Sequence, residues 1–209
     1  ISYVRLSPDS RSLALTIGSA RGTNRHTAIY DLALGSLTRF TQEGGGHAPV
    51  WSPDGKRIAF TADIAGGDAE DVFVQPIDRS SPPVRVFRMP NDQHSVAWPA
   101  DTTLVVANAS APGGLGGMSA AAGGVAASIY TVNPAKPGAE PKSYLSAEWG
   151  QLDASVSPDG KWSAFTSLET GTSEVFVRSF PAAGVGGITK VSAGGGQRAR
   201  WSGDGRTIL

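Results

Sequence analysis

One four-residue pattern returns along this chain at a nearly fixed interval. Ser7-Pro8-Asp9-Ser10, Ser52-Pro53-Asp54-Gly55, Ser157-Pro158-Asp159-Gly160 and Ser202-Gly203-Asp204-Gly205 are copies of it, and Trp98-Pro99-Ala100-Asp101 is a degraded copy. Successive copies stand 45, 46, 59 and 45 residues apart. The long step holds a Gly/Ala-rich insertion over residues 110–128, which reads as a flexible loop. A period near 45 residues is the length of one four-stranded propeller blade.

The pattern is turn chemistry. Serine accepts a backbone hydrogen bond at the first turn position and proline presets φ at the second. Aspartate suits the third, and glycine tolerates a positive φ at the fourth. The result is a type I turn with a glycine bulge, a common hairpin link.

Apolar stretches such as Ala48-Pro49-Val50-Trp51 lead into each turn. Strand-like runs follow at 12–16, 57–61 and 162–166, then at 28–30, 71–74, 128–132 and 174–177, then at 36–40, 84–87 and 188–191. No segment sustains a 3.6-residue period, so almost no helix is expected. The expected fold is all-β: a β-propeller of four-stranded antiparallel blades, four full blades plus a half blade. One domain, 1–209, would hold units at about 1–46, 47–92, 93–150, 151–196 and a partial unit at 197–209. A trailing half blade leaves an open sheet edge, so the expectation is a piece of a larger propeller.

Composition agrees with many short strands and turns: 27 glycines, 14 prolines and only 17% charged residues. With 18 basic and 18 acidic residues, nothing argues for the phosphate-neutralising surface of a nucleic-acid binder. The lack of cysteine excludes disulfides and thiolate zinc sites. No run is apolar and long enough to span a bilayer, so no direct membrane insertion is expected of this segment.

Pro49-Val50-Trp51-Ser52-Pro53-Asp54-Gly55-Lys56-Arg57-Ile58-Ala59-Phe60 resembles the repeat of TolB-like and WD-repeat-like propellers. Ser157-Pro158-Asp159-Gly160-Lys161-Trp162, Glu174-Val175-Phe176-Val177-Arg178-Ser179-Phe180-Pro181 and Gly194-Gly195-Gly196-Gln197 through Trp201-Ser202-Gly203-Asp204-Gly205-Arg206 are more particular. They are similar to the C-terminal propellers of bacterial receptor-type serine/threonine kinases, and to some winged-helix regulators with sensory propellers. The resemblance implies a ligand- or protein-binding sensor or scaffold in the periplasm or otherwise outside the cytoplasm. Two alternatives stand beside it: the substrate-gating propeller of a prolyl-oligopeptidase-type hydrolase, and a stand-alone TolB-like periplasmic protein. The third unit departs most, lacking the full turn pattern and carrying the insertion.

Catalytic motifs are missing from the sequence. There is no Gly-x-Ser-x-Gly elbow and no His-Glu-x-x-His pattern among His26, His47 and His94. The glycine clusters fit neither a phosphate loop nor a dinucleotide fingerprint. This chain is therefore read as no enzyme, with no cofactor and no metal implied. Asp9, Asp54, Asp159 and Asp204 are explained as turn residues that bond their own backbone. Trp51, Trp162 and Trp201 read as repeat-locked packing between blades; Trp98 and Trp149 do not share that lock.

One constellation points to binding. The connection entering each blade's first strand should run closest to the propeller axis. It carries His47, then Gln93 and His94, then Gln151 and Asp153, then Gln197 and Arg198. Polar residues at equivalent positions would ring one mouth of the channel and meet a small ligand or a protein partner there. Ordinary solvated loops would carry the same residue types.

Overall fold

The computed structural model describes residues 1–18, 25–42, 45–64, 69–109, 127–145, 154–181 and 187–209. They form sixteen strands in four antiparallel sheets, each meandering in sequence order, and no helix. The first sheet comprises β1 (Ser2–Leu6), β2 (Ser12–Ile17), β3 (His26–Asp31) and β4 (Ser36–Arg39). The second comprises β5 (His47–Trp51), β6 (Arg57–Ala62), β7 (Asp71–Pro76) and β8 (Val84–Phe87). The third comprises β9 (Gln93–Ala100), β10 (Thr103–Ala109), β11 (Ala127–Val132) and β12 (Lys142–Leu145). The fourth comprises β13 (Ala154–Val156), β14 (Trp162–Ser167), β15 (Glu174–Ser179) and β16 (Thr189–Lys190). An isolated bridge, Trp201 to Ile208, follows the fourth sheet. These are the blades of a β-propeller. Among the described residues no helix is long and apolar enough to cross a membrane.

Strand alternation explains why the middle strands are apolar on both faces. Ile58, Phe60 and Ala62 of β6 pack towards the first sheet with Ala14 and Phe40. Ala59 faces the other way, packing with Trp98, Leu104 and Val106 of the third sheet. In β10, Val105, Ala107 and Ala109 turn to the fourth sheet and meet Ala154, Phe165 and Phe176. Ala164 and Val175 of the fourth sheet pack with Ala199 beyond it. Each fully buried large side chain stabilises by about 1.5–3 kcal/mol, and here the gain is realised only when neighbouring sheets pack.

The four turns share one geometry. Serine Oγ donates to the aspartate Oδ1 at 2.6 Å in every copy. The fourth turn residue donates its amide to the serine carbonyl at 2.9 Å, again in every copy. Gly55, Gly160 and Gly205 have φ of 68°, 68° and 70°, and Ser10 in the same position has 59°. The aspartates are spent on their own turns.

Two sequence expectations need correction. Trp162 does not share the position of Trp51 and Trp201. Those two precede the turn serine, whereas Trp162 follows the turn where Arg57 stands in the second sheet, and it is 47% exposed. Trp98, which lacked the lock in the sequence, is buried between the second and third sheets beneath the Arg57 guanidinium, 4.9 Å from its ring centroid. The third unit's irregularity has a cause: without the serine–aspartate clamp, β9 runs on to Ala100, which pairs with Thr103 across a tight turn. The segment 110–126 lies outside the described residues, and the end of the expected insertion, Ala127 and Ser128, belongs to β11.

Candidate binding site at the inner strands

β5 lies against β1 and β9, and β13 lies against β9, so the first strand of each sheet is the innermost. Side-chain bonds fasten the sheets here, the Ser95 hydroxyl donating to the Ala48 carbonyl among them. Thr61 Oγ1 accepts the Ser95 amide at 3.3 Å, and Thr166 Oγ1 accepts the Arg198 amide at 3.2 Å. β1 and β5 break register at the same repeat position, between Ser2 and Arg5 and between His47 and Val50. Tyr3, Ala48 and Arg198 occupy equivalent positions there and share a positive φ, 51°, 48° and 57°. Such bulges re-aim side chains, and here they lie beside the strand starts that carry the polar residues.

The two histidines meet. His47 Nε2 and His94 Nε2 are 2.9 Å apart, with ring centroids at 4.7 Å and the planes nearly perpendicular. Tyr3 presents an edge-on contact to both rings, at 6.0 Å and 5.8 Å. Glu70, just before β7, brings Oε2 to 3.6 Å from His47 Nε2, while its Oε1 accepts from the Arg25 guanidinium. Arg25 and Glu70 hold the same repeat position, each immediately before the third strand of its sheet, so the pair links adjacent blades.

Burial keeps both imidazoles neutral. Desolvation, then the Arg25 charge, pulls His94 down to about 3. Desolvation first, then His94 and Arg25, hold His47 well below the ordinary histidine value, with the Thr61 backbone pulling the other way. The approach of Glu70 to His47 is therefore that of a carboxylate to a neutral ring. Burial raises the Tyr3 hydroxyl against the lowering pull of Arg25, Arg198 and Arg5.

The remaining expected residues divide. Gln93 is buried beside His94, but its Nε2 turns back to the Met89 and Asn91 carbonyls at 2.6 Å and 3.0 Å. Gln197 and Arg198 are exposed, and the Arg198 charge reaches Tyr3. Gln151 and Asp153, like Trp149, lie outside the described residues.

No protein-family model matches the sequence, and no curated protein matches it. Solved structures do. TolB from Acinetobacter baumannii superposes with a TM-score of 0.73 at 18% identity, over 98% of this chain and 47% of that one. A putative TolB from Agrobacterium tumefaciens gives 0.75 at 16% identity, over 98% of this chain and 67% of that one. A puromycin-hydrolyzing peptidase of Mycobacterium tuberculosis gives 0.65 at 16% identity, over 95% of this chain and 31% of that one. The likeness establishes a β-propeller fold. The chain spans about half of the first TolB structure and about two thirds of the second.

Sequence reasoning passed over Tyr3, Arg25 and Glu70. Tyr3 sits close to the chain start, without an apolar lead-in to mark its register. Arg25 and Glu70 lie in loops between strands, where charged residues draw no attention. Their signal was available only as opposite charges one repeat apart.

Proposed function

We propose that this chain is a non-catalytic propeller module that binds a small ligand or protein partner at the inner-strand mouth. Its setting in this proposal is the extracytoplasmic sensor of a bacterial receptor-type serine/threonine kinase. The observation that supports binding is the convergence of Tyr3, His47, Glu70 and His94 from three blades, with Arg25 bound to Glu70 and Arg198 close to Tyr3. The kinase setting draws on the resemblance of residues 174–181 and 194–206.

The similarity to a puromycin-hydrolyzing peptidase favours a second reading, a propeller that gates a hydrolase domain. Sequencing the gene on both sides of this segment separates the two. A kinase domain and one membrane-spanning helix upstream support the sensor. A hydrolase domain with Gly-x-Ser-x-Gly downstream overturns it in favour of the gate. In either case the 209-residue protein should not turn over peptide or ester substrates above the buffer rate. Turnover by the pure chain would overturn the non-catalytic reading.

A further inference from the structure

We propose that His47, His94 and Glu70 form a binding site for a divalent transition-metal ion of the zinc class, held between the second and third blades. The proposal goes beyond the binding-module reading and stands on this geometry alone. His47 Nε2, His94 Nε2 and a Glu70 carboxylate oxygen all lie within 4.8 Å of one another. In a tetrahedral zinc site with bonds of about 2.0–2.1 Å, ligand atoms stand about 3.3 Å apart. Two of the three distances, 2.9 Å between the imidazole nitrogens and 3.6 Å from His47 to Glu70, bracket that edge, and the third, from His94 to Glu70, is within 4.8 Å. Small side-chain movements would complete the set.

Two surrounding features suit a metal. First, His47 Nδ1 is buried with no hydrogen-bond partner of good geometry. The metal-facing Nε2 is the other ring nitrogen, 2.9 Å from its counterpart on His94. Second, Arg25 holds the far oxygen of Glu70 and so fixes the near one, as outer partners of metal-ligating carboxylates do. The charges nearby are mixed: Glu70 and Asp92 are negative, Arg25 and Arg198 positive. Two imidazoles and one carboxylate make a three-ligand set that leaves the fourth position to water or to an anionic ligand. Imidazole favours zinc, copper, iron and nickel over calcium or magnesium.

Cobalt(II) is the first probe. Chelator-stripped 209-residue protein should take up about one equivalent, with visible ligand-field bands, and zinc(II) should displace it and raise the melting temperature. Glu70→Gln and His94→Gln should each weaken uptake by on the order of 100-fold. His26→Gln should leave it unchanged, because His26 lies outside the cluster. If His94→Gln fails to fold, Glu70→Gln decides alone, since Glu70 is only partly buried. No uptake by folded protein, or uptake that survives the Glu70→Gln change, overturns the proposal. Either failure leaves the sensor reading untouched, because the neighbouring gene sequence decides that.

Discussion

At Ser52 one hydroxyl serves both sides of a turn: it accepts the Arg57 amide at 2.9 Å and donates to Asp54 at 2.6 Å. Asp54 in turn accepts the Lys56 amide at 3.1 Å. The carboxyls of Asp9, Asp54, Asp159 and Asp204 are held below the ordinary value, first by the serine hydroxyl and then by an amide two residues on. Their folded values lie below their unfolded ones, so the unfolded chain binds protons first as pH falls. The stability they confer is whole above about pH 4 and is lost as pH drops through the folded values. Urea midpoints should therefore fall in this window, and Asp159→Asn should flatten the dependence. A midpoint independent of pH there would contradict the turn geometry. Glycine at the fourth turn position gives a sharper test. Gly160 has φ +68°, and an added Cβ would meet nothing within 4 Å, so only backbone strain opposes a side chain. Gly160→Val should cost about 1–2 kcal/mol in urea unfolding. Gly203→Val, equally open but without a left-handed backbone, should stay within about 0.5 kcal/mol.

Between elements, tryptophan ties one blade to the last. Trp51 Nε1 donates to the Arg5 carbonyl at 3.1 Å, and Trp201 Nε1 donates to the Ser155 carbonyl at 3.0 Å. Trp51→Phe keeps most of the ring area and removes the bond, so it should destabilise by about 1 kcal/mol. Trp162→Phe, on an exposed ring, should change stability by less than about 0.5 kcal/mol in the same denaturant titration. Equal effects would mean that the indole bond contributes nothing. Trp162 also marks where the sequence misled: the residue type recurs, but five positions beyond the turn serine and not one before it. Strands and turns were legible because their signals are local, a two-residue alternation and a four-residue turn. The sequence placed His47 and His94 at the entries of neighbouring inner strands, where they are the first residue of β5 and the second of β9, but it did not show their direct contact. Glu70 and Arg25 were not legible, since only the radial stacking of blades brings one loop onto the next. The direction of Gln93 was equally hidden; it follows from backbone acceptors at Met89 and Asn91 that appear only once the loop is folded.

Across the whole molecule, apolar clusters lie between consecutive sheets, so stability should behave as a sum of neighbour terms. Ile58 is fully buried between the first and second sheets, and Ile129 is fully buried between the third and fourth. The two belong to different clusters with no shared member. Ile→Val at either site removes one methylene and should cost about 0.5–1.5 kcal/mol. The double variant should then lose the sum of the two, within about 0.5 kcal/mol, by urea unfolding. A loss well beyond the sum would mean that strain at one interface crosses the second and third blades to the other. That outcome would make the blades a single mechanical unit, so a ligand held by His47 and His94 would be felt at every interface. Additivity instead confines its influence to the second and third blades and to the first, which reaches the same cluster through Tyr3 and Arg25.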